Sequence, residues 1–187
     1  MRNLKSILVT LFLCGAMSQA YATLDVGTNA PDFTTEAALG GKQFTFVLNE
    51  ALKKGPVVLY FYPKAFTSGC TVEAHLFAEA SDTFAALNAT VIGVSNDDIE
   101  TLKKFSVEEC RNKFAVGADP DAKIIKAYDV KLLPIGGTSS RTSYVITPDH
   151  KIFYVYKAMN PDEHVKNTLD AVKQWQQQNK KSPSLPL

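Results

Sequence analysis

The chain has 187 residues, 45% hydrophobic and 21% charged, which is enough apolar material for one domain with a sizeable core. A formal net charge of +1 and a pI near 7.7 exclude the basic footprint of a nucleic-acid or membrane-surface binder. Ordinary Gly and Pro usage, with no internal repeat, excludes a fibrous or low-complexity chain.

The first 22 residues read as a secretory signal peptide. Arg2 and Lys5 form a short positive region, Ile7 to Leu13 an apolar stretch, and Ala20-Tyr21-Ala22 a small-x-small cleavage site. The apolar stretch is shorter than the ~20 residues that span a bilayer. Two alternatives stand beside this reading. One is an uncleaved anchor or a segment of the fold. The other is a lipoprotein signal at Cys14, which the bulky Leu13 before it disfavours. Cleavage after Ala22 leaves a nearly neutral chain with two cysteines, Cys70 and Cys110. It also predicts a periplasmic or secreted location, where an even cysteine pair invites a disulfide.

Ala30-Pro31-Asp32-Phe33 begins the ordered domain. Gly40-Gly41-Lys42 is a turn signal before a short strand at Phe44 to Val47, and one or two helical turns follow from Asn49 to Lys54. Gly55-Pro56 breaks that helix. Val57 to Tyr62 is a near-continuous apolar run, as in a central strand covered on both faces. Thr71 to Leu87 carries apolar residues at helical spacing, and Thr90 to Val94 is a second buried strand. Ser95 to Asp98 caps a helix from Ile99 through Phe105 whose continuation to Cys110 is left open. Phe114 to Val116 is a short strand, Asp119-Pro120-Asp121 a turn, and Ala122 to Tyr128 a short helix. Pro134 to Thr138 is a flexible loop. Strands at Thr142 to Thr147 and Lys151 to Tyr156 flank a hairpin turn at Pro148-Asp149-His150. Pro161 opens the last helix, with Val165, Leu169, Val172 and Trp175 on one stripe, and 179–187 is a polar, flexible tail. Strand–helix alternation followed by a hairpin predicts an α/β domain over 23–178, with a mixed central sheet flanked by helices in a thioredoxin-like arrangement and an N-terminal extension.

Cys70 lies in Pro63-Lys64-Ala65-Phe66-Thr67-Ser68-Gly69-Cys70, at the turn between the apolar strand and the helix after it. A thiol at a helix N-terminus faces unpaired N–H groups and the positive end of the helix dipole. Both favour thiolate, the nucleophilic form of cysteine. The aromatic residues Tyr60, Phe61, Tyr62 and Phe66 read as core and pocket lining, and the histidines His75, His150 and His164 are scattered with no metal-ligand spacing.

This stretch resembles the active-site segment of the peroxiredoxins, whose Pro-x-x-x-Thr/Ser-x-x-Cys pattern is met by Pro63, Thr67 and Cys70. Tyr62-Pro63-Lys64 and Gly69-Cys70-Thr71 are similar to the peroxiredoxin Q branch, also called bacterioferritin comigratory protein. Ala30 to Phe33, Asp119 to Asp121 with Ala127 to Val130, and Arg141 to Ile146 with Pro148 to Ile152 resemble further family segments in order, so that the likeness covers Leu24 to Trp175.

The resemblance implies a thioredoxin-like fold and a thiol peroxidase acting on hydrogen peroxide and organic hydroperoxides. It also implies a thioredoxin-like reductant and a monomer; no cofactor or metal is expected, the charge balance predicts no nucleic-acid partner, and signal cleavage leaves no stable membrane association. Cys70 would be the peroxidatic cysteine, oxidised to sulfenic acid. Thr67 would hydrogen-bond thiolate and peroxide, and Arg141 would bring a fixed positive charge to both. Glu73 would orient the arginine, and Pro63 would shield the thiolate.

The chain departs from the branch in one place. His75 stands five residues after Cys70, where many members carry the resolving cysteine. Cys110 is the remaining candidate, about one helical turn beyond the position a second subgroup uses, near Ser106. A one-cysteine enzyme resolved by an external thiol stays open beside it. So do two other functions: a thiol–disulfide oxidoreductase, disfavoured by the lack of Cys-x-x-Cys, and a binding module with a static Cys70–Cys110 bridge.

Overall fold

The computed structural model describes residues 23–132 and 137–181. The expected cleavage site after Ala22, Pro134 to Gly136 of the expected loop, and 182–187 of the expected tail lie outside the described residues. A seven-stranded mixed sheet forms the centre, in the order β2-β1-β5-β4-β3-β6-β7. β3 (Val57–Phe61), β4 (Thr90–Ser95) and β5 (Ala115–Ala118) are parallel neighbours. β6 (Thr142–Ile146) pairs antiparallel with β3, and β7 (Ile152–Lys157) antiparallel with β6, which gives the mixed sheet that the alternation predicts.

Each face of β3 buries alternate residues against a different helical layer, because side chains alternate across a strand. Val58 and Tyr60 pack with α2 (Ser68–Ala86), α3 (Ile99–Glu108) and α5 (His164–Lys181). Val57, Leu59 and Phe61 pack with α1 (Leu48–Leu52) and α4 (Lys123–Ala127). The Tyr60 ring stacks on Phe77 of α2 with centroids 4.3 Å apart. On the neighbouring strand, a Cβ at Gly93 would lie 2.5 Å from that ring, so only glycine leaves room for it.

Several elements differ from the sequence expectation, α5 among them, which begins at His164 rather than Pro161. β1 (Thr34–Leu39) is a strand that the sequence reading did not identify, paired with β2 (Lys42–Val47) across Gly40-Gly41. Its buried side chains are Ala37 and Ala38, whose weak β preference and small size hide the strand pattern. Both turn glycines take positive φ, +57° and +77°, as a two-residue hairpin between twisted strands requires. Helix α2 starts at Ser68 rather than Thr71, so Cys70 lies inside its first turn. Helix α5 runs through Lys181 and takes in the start of the expected tail.

Candidate active site

The site forms where β3 ends and α2 begins, facing β6 across the sheet. Thr67 is the N-cap of α2, with extended backbone (φ −81°, ψ 150°), and the first helical bond runs from Thr71 N to Thr67 O at 2.9 Å. The N–H groups of Ser68, Gly69 and Cys70 therefore have no acceptor within the helix and point outward from its start. The loop leading there is tied down by Asp97. Its Oδ2 accepts from Ala65 N and from Ser95 Oγ, both at 2.8 Å. Phe66 holds a positive φ of +63°, strained for a bulky side chain, and its ring meets Phe105 edge-on at 5.2 Å. Unlike Tyr60, Phe61 and Tyr62, which are fully buried as expected, Phe66 is largely exposed.

Arg141 converges on Cys70 from the entry to β6. Its Nη2 lies 3.5 Å from Cys70 Sγ, and Nη1 donates to Glu73 Oε2. Nε donates to the Met159 carbonyl at 3.0 Å. All three edges of the guanidinium are thus engaged, and the charge is held in one orientation. A Cβ at Gly69 would lie 3.0 Å from Arg141 Nη2, so a side chain there would press on the guanidinium beside the sulfur. Cys70, Glu73 and Arg141 are all buried. Burial pushes the Glu73 carboxyl up to about 8, against the pull of the Arg141 charge. Burial also works against the Arg141 charge. The Glu73 carboxyl and the Cys70 sulfur outweigh it, and the guanidinium is held above its ordinary value.

Two further expected residues lie nearer the surface. The Thr67 hydroxyl donates to the Lys64 carbonyl at 2.9 Å, and among the described residues it makes no hydrogen bond to the sulfur. The extended N-cap backbone turns that side chain back onto the loop, leaving its oxygen free to accept from an incoming O–H. Pro63 is half-buried at the end of β3, where it lacks an N–H to offer.

Cys110 lies just past the end of α3, in a turn whose Arg111 and Asn112 have left-handed backbone. It is fully buried in the same apolar cluster as Cys70, Tyr60 and Tyr62, and burial pushes its thiol far up. Both cysteines are free, so the structure holds no static Cys70–Cys110 bridge. His75 does not face the sulfur. Its Nε2 pairs with Glu109 Oε2 at 2.7 Å.

The sequence reading missed His164. Its ring is buried with Nδ1 3.7 Å from Glu73 Oε1, although 91 positions separate the two residues in the chain. Among the described residues, no group of three His, Cys, Asp or Glu side chains is placed to hold a metal ion. A cavity of about 510 Å³ opens elsewhere, lined by Phe44, Phe46, Ala85 and Phe114, and holds none of these groups.

A sequence model described as "AhpC/TSA family" matches residues 26–155. The chain belongs to this family. It is a peroxiredoxin, and it is similar to Peroxiredoxin Bcp of Bacillus subtilis, with 33% identity over 81% of this chain and 96% of that one. Peroxiredoxin Q, chloroplastic, of Oryza sativa is 31% identical over 84% of this chain and 67% of that one. Among solved structures, peroxidoxin BcpB from Mycobacterium tuberculosis superposes with a TM-score of 0.72 at 30% identity, covering 80% of this chain and 96% of that one. A cysteine-to-serine mutant of Xylella fastidiosa PrxQ gives a TM-score of 0.73 at 25% identity, over 83% and 99% of the two chains. The thioredoxin-like mixed sheet read from the sequence is the fold of these proteins. The peroxiredoxin is accordingly a thiol-dependent peroxidase.

Proposed function

We propose that Cys70 is the peroxidatic cysteine of an exported peroxidase that reduces hydrogen peroxide and organic hydroperoxides. The observation that carries this reading is the fixed Arg141 guanidinium 3.5 Å from Cys70 Sγ at the start of α2. A cation held at that distance stabilises negative charge on the sulfur before reaction and on the peroxide oxygens as the O–O bond stretches. The thiolate attacks one oxygen of ROOH and forms an S–O bond as the O–O bond breaks. The leaving RO⁻ takes a proton and departs as alcohol or water, and Cys70 is left as sulfenic acid. The free N–H groups of the first α2 turn and the Thr67 oxygen supply hydrogen-bond partners for the substrate.

In the second step Cys110 attacks the sulfenic sulfur. A disulfide forms, water leaves, and an external thioredoxin-like dithiol takes up the oxidising equivalents. Joining the two cysteines requires Cα atoms within about 7 Å, so the first turn of α2 and the turn holding Cys110 unwind locally. The burial of Cys110 favours a second route in which an external thiol resolves the sulfenic acid directly. The N-terminal pattern supports export to the periplasm or beyond. N-terminal sequencing of protein from the native host should then begin at Thr23.

Intact mass before and after one equivalent of hydrogen peroxide tests the cycle in wild type, Cys70→Ser and Cys110→Ser. A loss of about 2 Da in wild type, with a trapped sulfenic acid at Cys70 in the Cys110 variant, is the two-cysteine outcome. Sulfenic acid on Cys70 without a bridge is the one-cysteine outcome. No rapid change at Cys70 overturns the site.

A further inference from the structure

His164 is the first residue of α5 and is completely buried. Its ring makes two directional contacts. Nε2 lies 2.9 Å from the Ala158 carbonyl, which can only accept, so Nε2 carries the proton. Nδ1 lies 2.8 Å from Ser143 Oγ. Burial pulls His164 down to about 4, so the ring is neutral and Nδ1 presents a lone pair to which Ser143 donates. Tyr156 packs against the ring edge-on, with centroids 4.8 Å apart.

These contacts tie together the parts that hold Arg141. Ser143 is the second residue of β6 and lies two positions after Arg141, which immediately precedes that strand. Ala158 and Met159 are consecutive in the loop between β7 and α5. His164 holds the Ala158 carbonyl while Arg141 Nε holds that of Met159. Glu73 is bound by Arg141 through Oε2 alone, and its other oxygen, Oε1, has no hydrogen-bond partner and faces His164 Nδ1 at 3.7 Å. The ring therefore closes the far side of the Glu73–Arg141 pair and fixes the loop that supplies the third anchor of the guanidinium.

We propose that His164 is a positioning residue for the peroxide step, acting through Arg141 by anchoring the Ala158–Met159 loop and packing beside Glu73. The proposal rests on the reading of Cys70 and Arg141 as the reacting pair. A misplacement of about 1 Å in such a group costs on the order of 100-fold in rate.

The test is a double-mutant cycle on the second-order rate constant for hydrogen peroxide, measured on the reduced protein by competition kinetics. His164→Leu keeps the volume and removes both polar contacts. His164→Gln keeps an N–H for the Ala158 carbonyl. We expect His164→Leu to slow the reaction by about 10- to 100-fold, His164→Gln to recover part of that loss, and His164→Leu to have no further effect in an Arg141→Ala background. The same fold-loss in both backgrounds overturns the proposal, as does a folded His164→Leu protein with the wild-type rate. If His164→Leu does not fold, His164→Gln and Ser143→Ala carry the same cycle. An Arg141→Ala protein that reacts at the wild-type rate overturns the site reading itself, and a missing coupling to His164 leaves that reading standing.

Discussion

The two cysteines of the domain share one apolar cluster and face opposite electrostatics. Cys70 sits in the first turn of a helix, with a guanidinium 3.5 Å from its sulfur. Cys110 sits just past the end of another helix, fully buried, with Glu109 beside it and its thiol pushed far up by burial. A helix start and a fixed cation favour negative charge, whereas a helix end and an apolar surround oppose it. In the proposed cycle the fold therefore separates a sulfur held beside a cation from one that has to leave its apolar surround before it reacts.

The largest effects are expected at the cation. Arg141→Ala removes the charge from the sulfur and leaves the buried Glu73 carboxyl unpaired. The peroxide rate constant should fall by about 100- to 1,000-fold, the loss typical of one preorganised electrostatic contact. Arg141→Lys should fare little better, because a lysine cannot fill three directions at once. A variant that keeps more than half the rate would show that the helix start alone activates Cys70. The counterpart at the other cysteine is Cys110→Ser. Its first turnover should run at the wild-type rate, and under repeated peroxide its Cys70 should move up the oxidation ladder to sulfinic acid. Mass spectrometry of treated protein reads both.

The next contrast lies inside the Cys70 site, between two buried groups that shift in opposite directions. His164 is lowered from 6.5 to about 4, so its neutral form contributes stability that is full above pH 6.5 and is lost as pH falls toward 4. Glu73 is raised from 4.5 to about 8, so its protonated form contributes stability that is full below pH 4.5 and is lost as pH rises toward 8. His164→Gln should flatten the acid limb of the stability profile, and Glu73→Gln the alkaline limb. Melting temperatures across pH 4–9 measure this, at about 2–4 °C per kcal/mol for a chain of this size. A change on the wrong limb would reverse the assignment of charge in the pair.

The sequence made one half of this site legible and hid the other. Pro63, Thr67, Cys70 and Glu73 lie within one turn and one helical segment, so the sequence keeps them together, and the family resemblance implies their roles. Arg141 came from family resemblance to a distant strand. Ser143 and His164 left no such mark, since a serine in a strand and a histidine opening a helix are ordinary. The Ala158 and Met159 carbonyls belong to the backbone, which sequence does not distinguish. The Thr67 hydroxyl turns to the Lys64 carbonyl, a partner that spacing does not announce, because a hydroxyl's acceptor depends on the N-cap backbone. The sheet followed the same rule. The bulky β3 run announced itself, and the alanine-lined β1 did not.

The smallest expected effect concerns what keeps Cys110 buried. Three polar pairs join α2 to the segment around it: a hydrogen bond of His75 with Glu109 at 2.7 Å, and the ion pairs Glu79–Arg111 at 3.3 Å and Asp82–Lys113 at 3.1 Å. His75, Glu79 and Asp82 recur at helical spacing on one face of α2, and their partners are alternate residues that bracket Cys110. The pairs lie on the surface, so each contributes little, and salt screens them. They nevertheless span the two pieces that part, in the proposed cycle, before the sulfurs meet. Glu79→Gln or Arg111→Gln should therefore speed disulfide formation after peroxide by about two- to five-fold, with the first step unchanged and less sulfinic acid at Cys70. The swap of Glu79→Arg with Arg111→Glu should return the rate toward wild type. Equal disulfide rates in wild type and all three variants, and in low and high salt, would mean that apolar packing alone holds Cys110 in place.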